Sequence, residues 1–151
     1  MVSEGEEQSP GSVRRPVWLR PTTGLPVASV QASLIEERRG RVYGLVVRFE
    51  LLDGHETAFD ALASKTLESI EAAEPSTAVY LIHRLPETPG VRVFYELYDD
   101  IDAFEAHERA PHVQRFLVER GQHLRADPEV WVVEPTAGLV RGRQVSGVEP
   151  S

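Results

Sequence analysis

Hydrophobic and polar residues alternate along residues 91–98, VRVFYELY, and the alternation gives way to helical spacing immediately afterwards. Val91, Val93, Tyr95 and Leu97 fall on one face, and Arg92, Phe94, Glu96 and Tyr98 on the other. β-Branched and aromatic residues at period two predict a strand that is half or wholly buried. Asp99 and Asp100 stop it, and either can cap the helix that follows by accepting from its free N–H groups. From Ile101 onwards Ala103, Phe104 and His107 share one helical face. Pro111 breaks that helix and suits the first turn of another. There Val113, Phe116 and Leu117 form an apolar stripe, with His112 four residues before Phe116.

The same two periods recur on either side. Residues 42–52 predict a first strand with Tyr43, Leu45, Val47, Phe49 and Leu51 on one face and Val42, Gly44 and Val46 on the other. Asp53-Gly54 makes a turn, and Phe59, Leu62, Ala63, Thr66, Leu67 and Ile70 then follow a helical repeat. Glu74-Pro75-Ser76 ends that helix, because the residue before a proline is driven out of helical geometry. Residues 77–85 read as a strand with Val79, Leu81 and His83 opposite Tyr80, Ile82 and Arg84. A turn over residues 86–90 joins it to the strand at 91–98 as a hairpin. Asp127-Pro128 introduces a last strand at 129–134, with Trp131 and Val133 opposite Val130 and Val132.

The predicted order is β-α-β-β-α-β, an α+β plan of the ferredoxin-like type with a four-stranded antiparallel sheet. Helices on one side leave the other sheet face bare, and several strands are apolar there as well. A patch of that kind marks an association surface, although the pattern alone leaves open what covers it. The domain is expected over residues 41–135. Residues 1–40 form an N-terminal extension, polar at first, in which Val27, Val30 and Leu34 suggest a short amphipathic helix; residues 136–151 form a tail without clear period.

Composition narrows the function. With 151 residues, 41% hydrophobic and 26% charged, the chain suits one domain with tails, and it has no apolar run of membrane-spanning length. Cysteine is absent, which removes disulfides, thiolate metal sites and cysteine nucleophiles. A formal net charge of −8 opposes general nucleic-acid binding. The first ten residues lack the basic and apolar regions of a signal peptide, so the cytoplasm is the expected location.

The candidate chemistry lies in the histidines and in the strand beneath them. His107 and His112 sit at the margins of apolar faces, and Glu96 is placed to orient them. Each histidine could serve as a base or proton relay, or as a bridge holding helix to sheet. Tyr80, Tyr98 and Trp131 could line an apolar pocket or simply fill the core. Arg84 could meet an anionic substrate or run along an edge strand with its head in water. Glu96, His107 and His112 also make up a two-imidazole, one-carboxylate set. Positions 107 and 112 are five apart across a proline and do not share a helix face, so no metal is assigned.

The run YELY, then AFEAH, then APHVQRF resembles the antibiotic biosynthesis monooxygenase family, through Glu96, Tyr98, Ala103, Phe104, His107, Pro111, His112 and Phe116. The resemblance covers residues 42–134. It implies a dimeric α/β barrel in which two sheets pack face to face across a two-fold axis. It also implies an enzyme that oxidises a small electron-rich aromatic, a quinol or phenol, with oxygen and without cofactor, flavin or metal. His107 would then be the base or relay, with His112 second, and Tyr80, Arg84, Glu96, Tyr98 and Trp131 would bind substrate. The same architecture serves haem-degrading proteins, where tryptophan is expected at the position of Tyr98, and non-catalytic dimers that bind a small molecule.

Overall fold

The structure, a computed structural model, describes residues 40–141. The expected N-terminal helix and the end of the C-terminal tail lie outside those residues. β1 (Tyr43–Glu50) is followed by α1 (Glu56–Ala73), β2 (Thr77–Leu85), β3 (Thr88–Tyr98), α2 (Ile101–Arg109), α3 (Pro111–Glu119) and β4 (Glu129–Val133). A 3₁₀ turn over Arg120–His123 extends α3. The strands form one antiparallel sheet in the order β2-β3-β1-β4, the ferredoxin-like arrangement.

Each boundary has a local cause. The α1 helix stops at Ala73 because Glu74 precedes Pro75 and takes a non-helical backbone (φ −123°, ψ 74°). Asp100, rather than Asp99, caps α2, its Oδ1 accepting from the Ala103 N–H at 2.8 Å. Pro111 occupies the first turn of α3, where a missing N–H costs nothing. The β2–β3 hairpin is tighter than its sequence suggests: Thr88, Pro89 and Gly90 belong to β3, and only Pro86 and Glu87 lie between the strands. Pro89 is accommodated because it lies where β3 runs past the end of β1, so no interior ladder bond is lost.

Strand alternation sorts the two sheet faces as the pattern predicts. Tyr43, Leu45, Val47 and Phe49 of β1 and Phe94 and Tyr98 of β3 are buried against Phe59 and Ala63 of α1 and Phe116 of α3. Phe49 lies edge-on to Phe94 at 4.7 Å between ring centroids. The opposite face carries Val46, Leu81, Val93, Tyr95 and Trp131, with Leu81 and Trp131 still 49% and 46% exposed. Gly44 permits the close approach of β4: a Cβ there would stand 2.8 Å from the Val133 carbonyl oxygen. Arg92, 3% exposed, fastens β3 to α1 through a two-pronged bond to Asp60, at 2.7 and 2.9 Å.

Candidate active site

The helix-covered face of the sheet holds a connected set of polar groups at the end where α1 stops and α2 begins. Its centre is Glu74, which sequence reasoning left out. The turn that Pro75 imposes points the Glu74 carboxylate at α2 and α3. His107 Nδ1 lies 2.7 Å from Oε2, Thr77 Oγ1 donates to the same oxygen at 2.9 Å, and His112 Nε2 bonds Oε1. Burial alone would raise the Glu74 carboxyl. The hydrogen bond and charge of His107, together with the bonds from His112 and Thr77, outweigh it and hold the group below its ordinary value.

An ionised carboxylate only accepts, and this fixes both imidazoles. His107 must carry its proton on Nδ1 and His112 on Nε2. In its neutral form His107 therefore keeps a lone pair on Nε2, which has no hydrogen-bond partner among the described residues. The ring itself is held rigidly, 4% exposed, with Tyr98 and Tyr80 at centroid distances of 5.1 and 5.8 Å.

Glu96 does not orient the histidines as the sequence suggests. It lies two residues before Tyr98 on the same strand face, so the Tyr98 hydroxyl reaches it first and donates to Oε2 at 2.8 Å. Tyr80, the register partner of Glu96 on the neighbouring strand, also interacts with this carboxyl. Burial raises the Glu96 pKa against the lowering effect of the His107 charge and the Tyr98 bond. Burial and the Glu96 charge push both tyrosines far above their ordinary range, so they remain neutral donors. The tyrosines therefore cannot act as phenolate bases near neutrality, and the unpaired imidazole nitrogen is the better proton acceptor.

His107, His112, Tyr80, Glu96 and Tyr98 are thus brought together, while two other candidates are not. Arg84 shares the helix side of β2 but is exposed, four residues beyond Tyr80 and so roughly 13 Å along the strand. Trp131 pairs with Val46 on the helix-free face. Among the described residues no group of three or more His, Asp or Glu is arranged to hold a metal ion. Arg120 is a second residue the sequence did not single out. Its guanidinium lies over the Phe49 and Phe116 rings and is electrostatically coupled to Glu108, Tyr80 and Glu96.

The antibiotic biosynthesis monooxygenase family model matches residues 42–118, from just before β1 to the end of α3. Solved structures share the fold at low identity. A Caulobacter crescentus protein provisionally named an antibiotic biosynthesis monooxygenase superposes with a TM-score of 0.63 at 18% identity, over 70% of this chain and 99% of its own. A Bacteroides thetaiotaomicron protein of the same provisional name gives 0.62 at 16%, over 68% and 97%. A Mycobacterium tuberculosis protein gives 0.61 at 21%, over 66% and 99%. No curated protein matches the sequence.

Proposed function

Since this chain belongs to the antibiotic biosynthesis monooxygenase family, we propose that it oxidises a small electron-rich aromatic, a quinol or phenol, directly with oxygen, with His107 as the base. The observation that carries this reading is the Glu74–His107 pair, because it fixes the tautomer and leaves Nε2 free to take a proton. Loss of a hydroxyl proton makes the aromatic a stronger electron donor. Oxygen then takes electrons from that anion: one oxygen atom ends as a new carbonyl and the other leaves as water. All the electrons come from the substrate. His112 supports the pair by donating to the other oxygen of the same carboxylate.

The protein would act as a homodimer in the cytoplasm. The apolar face bearing Leu81, Tyr95 and Trp131 supports a sheet-to-sheet contact. Among the described residues no helix is long and apolar enough to cross a membrane. An oxygen electrode with a panel of quinols tests the activity. His107→Ala should lose roughly 10²-fold in turnover while remaining folded. A Soret band on stoichiometric addition of haem, with no oxygen uptake from quinols, would replace this reading with haem binding. Equal turnover in wild type and His107→Ala would leave the histidine as a structural bridge.

A further inference from the structure

Arg120 is a cation that this chemistry has not used. It follows α3 at the C-cap, and its guanidinium carbon lies 5.4 Å from the Phe49 ring centroid and 5.7 Å from that of Phe116. Both rings are core, 1% and 4% exposed, so the guanidinium lies over the margin of the core while Arg120 itself is half-buried.

Arg48, Arg92, Arg109 and Arg125 each have a carboxylate partner. Among the described residues Arg120 has none within ion-pair distance. The negative charges it senses from further away are Glu108 and Glu96, and burial outweighs them. Glu96 is already bonded by Tyr98. Stacking on two rings holds the guanidinium in place. Stacking also uses the faces of the guanidinium and leaves its N–H edge, the part that grips oxyanions in bidentate fashion, free in the plane.

We infer that Arg120 recognises an oxyanion on the aromatic substrate, a carboxylate or a phenolate, and so selects ionised over neutral ligands at the Tyr80–Glu96 end of the site. This rests on the helix-side cluster being the substrate site.

The full-length protein is titrated with benzoate, with methyl benzoate and with 4-nitrophenol, using calorimetry and the visible absorbance of the nitrophenolate. If the oxyanion is a carboxylate, benzoate should bind about tenfold or more tightly than its methyl ester. If it is a phenolate, added protein should increase the ionised fraction of 4-nitrophenol at fixed pH. Either effect should vanish in Arg120→Met and return in part in Arg120→Lys, which keeps the charge but not the fork. Arg120→Met should melt no lower than wild type. The inference is overturned if wild-type protein shows neither effect, or if the effect survives in Arg120→Met. The wild-type comparison decides the matter alone should that variant not fold. Oxygen uptake is scored separately: selective anion binding without turnover removes the oxygenase reading and keeps Arg120 as the anion site, whereas turnover without selectivity does the opposite.

Discussion

Replacing Glu74 by glutamine should change the protonation pattern of one histidine and leave the other alone. Oε2 of Glu74 serves two donors, His107 Nδ1 and Thr77 Oγ1, whereas Oε1 serves only His112 Nε2. A glutamine amide has one acceptor oxygen and one donor nitrogen. The oxygen should take the place of Oε2, where two donors converge, and the NH₂ group should face His112. His112 must then accept at Nε2 and move its proton to Nδ1, while His107 keeps its proton on Nδ1. Nitrogen-15 NMR of the imidazoles distinguishes these tautomers directly. The two histidine bonds lose their charge assistance, worth about 1 kcal/mol each, so urea unfolding should show a loss of about 2 kcal/mol. The Glu74 side chain is only 11% exposed, so solvent screening removes little of this. The pH dependence gives an independent check. The Glu74 pKa is lower in the folded protein than its ordinary value of 4.5. Its contribution is therefore present above that value and is lost as pH falls through the folded pKa; the glutamine variant should lack that acid-side slope. An unchanged His112 tautomer with unchanged stability would show that Glu74 does not hold the pair.

Glu96→Gln should behave in the opposite sense, because burial raises the Glu96 pKa above 4.5: wild-type stability from this group is greatest below that value and falls as pH rises through the folded pKa, so thermal melts should show the variant gaining on wild type toward neutral pH. Gly44→Ala brings a methyl within 2.8 Å of the Val133 carbonyl oxygen and should cost about 1–3 kcal/mol, with faster hydrogen exchange confined to β4. Asp60→Ala strands the buried Arg92 guanidinium and should cost about 1–3 kcal/mol by urea unfolding, the half-exposed Asp60 side chain keeping the value modest, whereas Arg92→Met should cost less because no unpaired charge remains.

Alternation assigned the faces of β1, of residues 79–84 in β2 and of residues 91–98 in β3, because period two admits one answer once a single buried position is known, but it could not show the register shift that turns Thr77 to the helix side. Helix ends were equally legible where a proline or aspartate set them, at Pro75, Asp100 and Pro111. Partner choice across elements was not. His107 and Glu96 do lie on facing surfaces, as their periodicity suggests, but Glu96 is taken by Tyr98 two residues away. Glu74 stands 33 residues from His107 and 38 from His112, and no periodicity relates a helix cap to a distant helix face. Trp131 was placed on its own face correctly, yet being aromatic did not put it near the histidines; the register with Val46 sets it on the other side of the sheet.

One signal for Glu74 did exist in the sequence, and it was read only for its effect on the backbone. A glutamate directly before proline cannot continue the helix, so its side chain leaves the helical pattern of α1 and its direction is set by the turn. The chain must turn there to start β2, and β2 pairs with the end of β3, from which α2 departs: Asp99 N–H bonds the Ser76 carbonyl at 3.0 Å. That bond ties the two connections together, so a side chain leaving the first is delivered to the helix that begins at the second. In a β-α-β-β-α-β chain the residue that ends the first helix therefore lies close to the start of the second, and an acidic residue there has few partners other than the polar positions of that second helix. For this protein those positions are His107 and, across the Pro111 break, His112. Moving the glutamate should separate its two effects: Glu74→Ala with Ala73→Glu keeps the charge and the proline but displaces the carboxylate by one helical position, about 100° around the axis. The fold should persist, both histidines should lose their acceptor, and turnover should fall with His107→Ala rather than with the stability of the sheet. Retained turnover in that double variant would mean that the backbone turn, and not the carboxylate, is what the site requires.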